Sequence, residues 1–486
     1  MRRLVLFGSL AVAVAACSGG PQPGAPRTVA PPAASAAPAP WTEGERARLA
    51  SALRAAFAPL PAEAAGIAVL AADGSRLFGN RADIAYTPAS TLKLLVAATS
   101  LDAFGPAHRF ETSFVALAPP DAGVLSGPLW LVGGGDPVLT SADVNAGVGA
   151  LARGGLRRVA GDLVVDATLF AGPEQNPNWS ADDVGQDYAS GTSAVSLDWN
   201  VVQFRVTPSE PGVPASIAVE PRNRNVAFGG LVTTGYGGDV RIDRVGRADG
   251  NAFAVSGRVA PGPPFSLYVP AASIPLFAGG AVASMLQQRG IAFDGTVREG
   301  GSPLGGATLW LHDSPPLGRL LKQMLVHSDN HIAEQLLRSV GTTGGRAGSD
   351  TAGLRAERAW LGRNAIPVAG MRVYDGSGLS PRDALPPAVL AAVVDRALRS
   401  PHAQTYLDAL PRVGMEGTVR YHNLHAALGR ARAKSGHIAE VNGLAGTVLT
   451  RSHGRVSFAF IVNGPWAGAG ELTQAQDRAL DALAEF

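Results

Sequence analysis

The stretch Pro88-Ala89-Ser90-Thr91-Leu92-Lys93 heads an apolar run that continues to Leu101, and it limits how the chain can fold more than any other segment. Serine commonly opens a helix, so the pattern predicts a helix starting near Ser90. Lys93 then falls one turn later on the same face. A hydroxyl and an amine lie side by side at a helix N-terminus, where developing negative charge is favoured.

Lysine usage sharpens this. The chain carries 41 Lys+Arg, yet only Lys93, Lys322 and Lys434 are lysines. Arginine cannot give up its proton, whereas a desolvated lysine can. Keeping such an amine neutral near pH 7 costs about 4 kcal/mol. Ser90 and Lys93 have the Ser-x-x-Lys spacing of acyl-serine enzymes. Taken alone that spacing is common by chance.

A length of 486 residues with 46% hydrophobic and 16% charged content predicts two or three globular domains. The 60 Gly and 36 Pro predict many turns and short strands. The formal charge is +2, two units of it from Arg2 and Arg3, and basic clusters with interleaved aromatics are absent, which argues against nucleic acid. Met1-Arg2-Arg3 and the apolar Leu4 to Ala16 form an export signal too short to span a bilayer. Val14-Ala15-Ala16-Cys17 resembles the bacterial lipobox, which implies cleavage before Cys17, lipidation of its thiol and a periplasmic body held on a membrane. Ser18 in place of Asp suits the outer membrane of a Gram-negative cell. With Cys17 as the only cysteine, no disulfide framework and no Cys-based metal site is expected; no metal or cofactor is called for. Ser18 to Pro40 is nearly all Ala, Pro, Gly and Ser, a tether reaching roughly 70 Å.

Thr42-Glu43-Gly44-Glu45 is a capping box for an amphipathic helix to about Phe57. Gly66 to Ala71, Asp73-Gly74-Ser75 and Arg76 to Phe78 read as strand, turn and strand. From about Gly105 to Gly290, short β-type runs alternate with Gly/Pro turns, as in one or two mostly β modules. Gly133-Gly134-Gly135-Asp136-Pro137 lacks the ending of a phosphate loop and a following helix, and reads as a turn. Leu317, Leu320, Leu321, Met324 and Leu325 have helical spacing, Ser328-Asp329-Asn330 interrupts, and Ile332 to Val340 resumes the helix. Leu444 to Thr450 and Val456 to Val462 read as paired strands, and Thr473 as the cap of a last helix.

The Ser328-Asp329-Asn330 loop can present a proton-relaying hydroxyl and an amide that holds both an ammonium and a substrate carbonyl. By itself it reads equally as a helix corner with capping residues. Lys434-Ser435-Gly436 precedes a strand. On an edge strand facing a cleft, Lys434 supplies positive charge for a carboxylate, Ser435 a hydroxyl donor, and Gly436 room for a substrate backbone. By itself it reads as a solvated edge lysine.

Taken in order, the three motifs resemble those of β-lactamases and penicillin-binding proteins. The 238 residues from Ser90 to Ser328 are too many for a compact β-lactamase. They are similar in layout to the D-Ala-D-Ala carboxypeptidase/endopeptidases of the type-four penicillin-binding kind. Gly134 to Pro137, Asp375 to Ser380 and Glu416-Gly417-Thr418 add to the likeness, which covers roughly residues 42–486. The resemblance implies an α/β (α+β) transpeptidase-like sandwich with a helical subdomain, interrupted by a mostly β insert. The expected divisions are 1–16 signal, 17–41 tether, 42–105 and 291–486 catalytic, and 106–290 insert.

It also implies a mechanism on peptidoglycan stem peptides, with β-lactam antibiotics as covalent inhibitors. Ser90 attacks the D-Ala carbonyl, Lys93 takes its proton, and Ser328, touching Lys434, passes a proton to the leaving amine. Asn330 orients Lys93 and substrate. The N–H groups of Ser90 and His437 hold the oxyanion. His437 stands where this family usually has Ser or Thr, so a hydroxyl for the substrate carboxylate is missing. Asp182 and Asp183 after Trp179, and Arg382, match positions that read a diaminopimelate side chain; a surface turn and a loop arginine are the plainer reading. His327 and His331 flank the second motif, where capping or surface roles suit them better than catalysis. A β-lactamase is a second reading, weakened by the absence of a Glu-x-x-Leu-Asn segment between the last two motifs. A non-catalytic wall-binding lipoprotein is a third. Oligomeric state is left open.

Overall fold

Two strands from opposite ends of the chain lie side by side: Ala65–Leu70 runs antiparallel to Arg455–Asn463, with Ala68 opposite Ala459. They are the centre of a five-stranded sheet ordered Ala431–Ile438, Val441–Leu449, Arg455–Asn463, Ala65–Leu70, Arg76–Asn80. Every pairing in it is antiparallel. The computed structural model describes residues 38–486 apart from 62, 246–249 and 466–468. The signal segment, Cys17 and the tether up to residue 37 lie outside the described residues. Among the described residues no helix is long and apolar enough to cross a membrane.

Both faces of the sheet are buried, and strand alternation divides its residues between two cores. Ile67, Val69, Phe458 and Phe460 face the terminal helices Glu43–Phe57 and Ala469–Ala484. The first of these opens with the expected capping box, Thr42 accepting from the N–H of Glu45 and Glu45 accepting from that of Thr42. The last begins at Ala469, so Thr473 lies inside it and does not cap it. Ala68, Ala445, Ala459 and Ile461 face the helices Lys93–Phe104, Leu317–His327, Asn330–Gly341 and Pro387–Leu398. Small residues on this face let Pro387–Leu398 pack directly on the sheet, and Lys93–Phe104, packed against that helix, is buried from Lys93 to Leu101.

The chain leaves the sheet at Asn80 and rejoins it at Ala431. Part of the excursion has its own core, running from Phe114 to Phe293. It holds the expected short strands, including Leu129–Gly133, Val201–Thr207 and Asn251–Val259. Two helices, Ser141–Arg153 and Ile274–Gln288, were not foreseen. Their Ala, Gly and Val content hid them among β-type runs. The first follows the Gly133 to Pro137 turn, capped by Thr140, so a helix does succeed that turn. Strands Val297–Glu299 and Ala307–Asp313 belong to the same sheet as Glu111–Ala116, so residues beyond 290 complete the insert.

The expected tether also ends early. Ala39 N–H donates to Ser452 O, and Trp41 stacks on His453 with ring centroids 4.1 Å apart. Residues 38–41 are therefore docked on the Thr450 to Gly454 turn.

Candidate active site

Pro88 to Lys93 do not form the simple helix opening that Ser90 suggests. Ala89–Leu92 is a turn of 3-10 helix, Ala89 has φ +47°, and no side chain caps it. A left-handed alanine costs about 1 kcal/mol. The twist frees the Ser90 hydroxyl from capping and turns it toward Lys93. Lys93 is fully buried at the head of its helix, and its Nζ spends three donors at once. It donates to Ser90 Oγ at 2.8 Å, Asn330 Oδ1 at 2.7 Å and the Ser377 carbonyl at 2.7 Å. Burial pulls its pKa from 10.5 down to about 8, against the attraction of Asp375, Glu334 and Asp329.

Ser328 caps the Leu317–His327 helix in a left-handed conformation, φ +61°. Asp329 caps the next helix, accepting from Ile332 N–H at 3.0 Å, and Asn330 is its first residue. The corner reading of this loop describes a real feature, and the caps fix the direction in which Asn330 points. Its amide donates to the Tyr188 carbonyl at 2.9 Å, which orients the oxygen toward Lys93.

Lys434 sits on the edge strand Ala431–Ile438, fully buried. Burial first, and then the charge of Lys93, push its pKa well below the ordinary lysine range. No hydrogen bond joins it to Ser328 among the described residues; its Nζ donates to the Ser435 carbonyl at 2.6 Å. Gly436 does not leave room for a substrate. A Cβ there would lie 2.7 Å from Pro88 O and 3.1 Å from Ser90 N, so the missing side chain lets the strand press on the serine's own turn. Ser90 N–H makes no hydrogen bond among the described residues, and it lies beside this strand.

Ser90, Ser328, Asn330 and His437 line one cleft of about 610 Å³. Asp182 and Asp183 line its far wall, on an insert turn pinned by Trp179, whose indole N–H donates to Asp375 at 2.9 Å. Asp183 accepts from the Tyr188 hydroxyl at 2.8 Å. Arg382 is not in the lining; Pro381 is. The Arg382 guanidinium stacks on Tyr374, 4.3 Å from the ring centre, and donates to Asn178 at 2.6 Å. His331 is buried and held neutral, its pKa pushed down to about 4 by burial. His327 lines a neighbouring cavity with Tyr188 and Trp199, behind Ser328.

Several contributors were not singled out from sequence. Glu334 lies one turn after Asn330 and accepts the N–H groups of Gly376 and Ser377, at 3.0 and 2.7 Å. It thereby fixes the Ser377 carbonyl that holds Lys93. Burial, with Asp375 nearby, raises its pKa to about 8. An acid on the buried face of an amphipathic helix was the available signal. Trp199 and Tyr188 come from the insert, and no periodicity marks them.

The geometry has known counterparts. The family model described as D-Ala-D-Ala carboxypeptidase 3 (S13) matches residues 46–485. A D-alanyl-D-alanine carboxypeptidase of Actinomadura sp. strain R39 is 29% identical over 444 residues, covering 86% of this chain and 81% of its own. The crystal structure of penicillin binding protein 4 from Haemophilus influenzae superposes with a TM-score of 0.78 at 25% identity, covering 89% of this chain and 99% of that one. The same Haemophilus protein complexed with a β-lactam superposes at 0.73 and 24% identity, with the same coverage. The match runs across both ends of the central sheet and through the insert, and the chain therefore belongs to the D-Ala-D-Ala carboxypeptidase 3 (S13) family.

Proposed function

We propose that the protein is a penicillin-sensitive serine DD-peptidase that trims peptidoglycan stem peptides through an acyl-serine intermediate. Neutral Lys93 takes the proton of Ser90 as Oγ bonds to the carbonyl of the penultimate D-Ala. The resulting oxyanion rests on the N–H groups of Ser90 and His437. The C–N bond then breaks, and Ser328 passes a proton to the departing amine. Water attacks the acyl-serine, releasing the shortened peptide and restoring the hydroxyl. Asn330 keeps Lys93 and the substrate amide in register. Asp182 and Asp183 accept the free amine of a diaminopimelate side chain. In the same reading Cys17 carries lipid and holds the body in the periplasm, and crosslinked peptides are cut as well as free D-Ala-D-Ala ends.

One observation supports this reading above the others: a buried lysine with lowered basicity donates to Ser90 Oγ at 2.8 Å. A solvated lysine would hold its proton at neutral pH and could not serve as a base. The test is purified protein incubated with muropeptides and read by mass. Loss of one D-Ala from monomers, and conversion of dimers to monomers, supports the reading. No change in either, with Ser90→Ala as control, removes it.

A further inference from the structure

Behind the cleft wall two carboxyl groups meet in the protein interior. Asp375 and Asp383 are both buried, and their side chains lie within hydrogen-bonding reach of each other. Asp375 is well supplied with donors. Its Oδ1 accepts from Gly378 N–H at 2.7 Å, and its Oδ2 from Ser380 N–H at 2.8 Å, Trp179 Nε1 at 2.9 Å and Ser377 Oγ at 3.4 Å. Asp383 accepts from Tyr374 N–H at 2.8 Å through Oδ1, while its Oδ2 is buried with no partner among the described residues. No cation among the described residues pairs with it; the adjacent Arg382 stacks on Tyr374 and bonds Asn178.

Two carboxylates this close and out of water cannot both hold charge. The donors decide which one keeps it, and they converge on Asp375. A buried oxygen with no donor of its own, facing another acceptor, is where a proton belongs. We propose that Asp383 is kept protonated and donates its O–H to Asp375, which makes it a positioning residue for Ser90 and Lys93. This rests on the serine-peptidase reading above. Burial first, and then the charge of Asp375, raise the pKa of Asp383 to about 11, and Glu334 acts in the same direction.

Asp375 ties together the parts that the chemistry needs. At Gly378, whose N–H it accepts, an added Cβ would fall 2.0 Å from Ala89 O and 3.1 Å from Ser90 N, so this loop is pressed on the nucleophile's own turn. One residue earlier the Ser377 carbonyl accepts from Lys93 at 2.7 Å. Through Trp179 the same carboxylate anchors the insert turn that carries Asp182 and Asp183. An O–H from Asp383 braces this anion with a charge-assisted bond. Its neutrality matters as well. The charges of Asp375, Glu334 and Asp329 already raise the pKa of Lys93 against the effect of burial. A neutral acid gives Asp375 a further donor without adding a charge that would keep Lys93 protonated.

The test is the pH profile of penicillin acylation at Ser90 in wild type, D383L and D383N, with infrared spectra of the same proteins. Leucine has no donor, whereas asparagine keeps one and carries no charge. The proposal expects D383L to acylate about ten-fold more slowly, the worth of a hydrogen bond to a charged group. It expects D383N to restore the rate, with the rising limb at the wild-type pH. The infrared band of protonated carboxyl groups at neutral pH should weaken in D383N. A limb that moves to lower pH in D383N would mean that a negative charge had been removed, and overturns the proposal. D383L acylating at the wild-type rate, D383N as slow as D383L, or a band that D383N leaves unchanged overturns it equally. If D383L does not fold, the limb and the band of D383N still decide. In all these cases normal acylation of wild type leaves the peptidase reading standing. If wild type does not acylate Ser90, both fall.

Discussion

The indole N–H of Trp199 donates to Asp329 Oδ2 at 2.8 Å, across 130 residues of sequence and from the insert into the catalytic loop. Asp198, Trp199 and Asn200 are all left-handed, with φ of +47°, +57° and +58°. Three such residues in a row cost roughly 1–2 kcal/mol each. Asp198 accepting from Ser141 N–H and Asn200 bonding Leu197, Gly191 and Ser196 offset that cost. The strain serves to aim Trp199 at the cap of the helix that begins with Asn330.

Trp199→Phe is therefore expected to slow acylation by penicillin about five- to ten-fold, the worth of one hydrogen bond to a charged group. The melting temperature should move little, because the ring still packs. Stopped-flow acylation and a thermal melt on the same preparation check this. An unchanged rate would mean that Asp329 holds the loop unaided.

The lowered basicity of Lys93 sets a pH dependence. Its neutral form is the base, and with its pKa at about 8 that form is the minority at pH 7 and grows as pH rises. Acylation should rise roughly ten-fold per pH unit below that point and level off above it. A flat profile between pH 6 and 9 would remove Lys93 as the base.

Glu334 titrates in the same range, so the observed limb belongs to the pair. Its negative form attracts the proton of Lys93 and raises that pKa. Glu334→Gln keeps an acceptor for Gly376 and Ser377 but loses the charge. The rising limb should then move to lower pH, because only Asp375 and Asp329 remain to oppose the effect of burial. Movement to higher pH would contradict the assignment.

How much of this was legible beforehand follows from the range of each interaction. The capping box at Thr42, the helix from Leu317 and the paired C-terminal strands rest on neighbours a few residues apart, and the sequence carries them openly. Ser90, Lys93, Asn330 and Lys434 were singled out because their three motifs occur in order along the chain, each being ordinary by itself. Glu334 and Trp199 were not, because each matters only through a partner on another part of the fold, 42 and 43 residues from Glu334 and 130 from Trp199. The helices Ser141–Arg153 and Ile274–Gln288 escaped because Gly and Val blur a helical period. Gly436 was read as space for substrate, whereas the Ser90 turn occupies that space.

Asp182 and Asp183 face the cleft while Arg382 stacks on Tyr374. Asp182→Asn should lower kcat/KM for a diaminopimelate peptide with a free side-chain amine by about ten-fold. The same peptide with that amine acetylated should respond much less. Arg382→Ala should discriminate between the two poorly. Kinetics on the two peptides decide the matter, and equal losses would place amine recognition elsewhere.

The central claim is that Ser90 is the nucleophile, released and activated by Lys93. Benzylpenicillin followed by proteolysis and mass spectrometry of the peptide containing residues 88–93 measures it directly. The account predicts a single penicilloyl adduct on Ser90, absent in Ser90→Ala and strongly slowed in Lys93→Met. An adduct on another residue, or one that persists in Ser90→Ala, would contradict it.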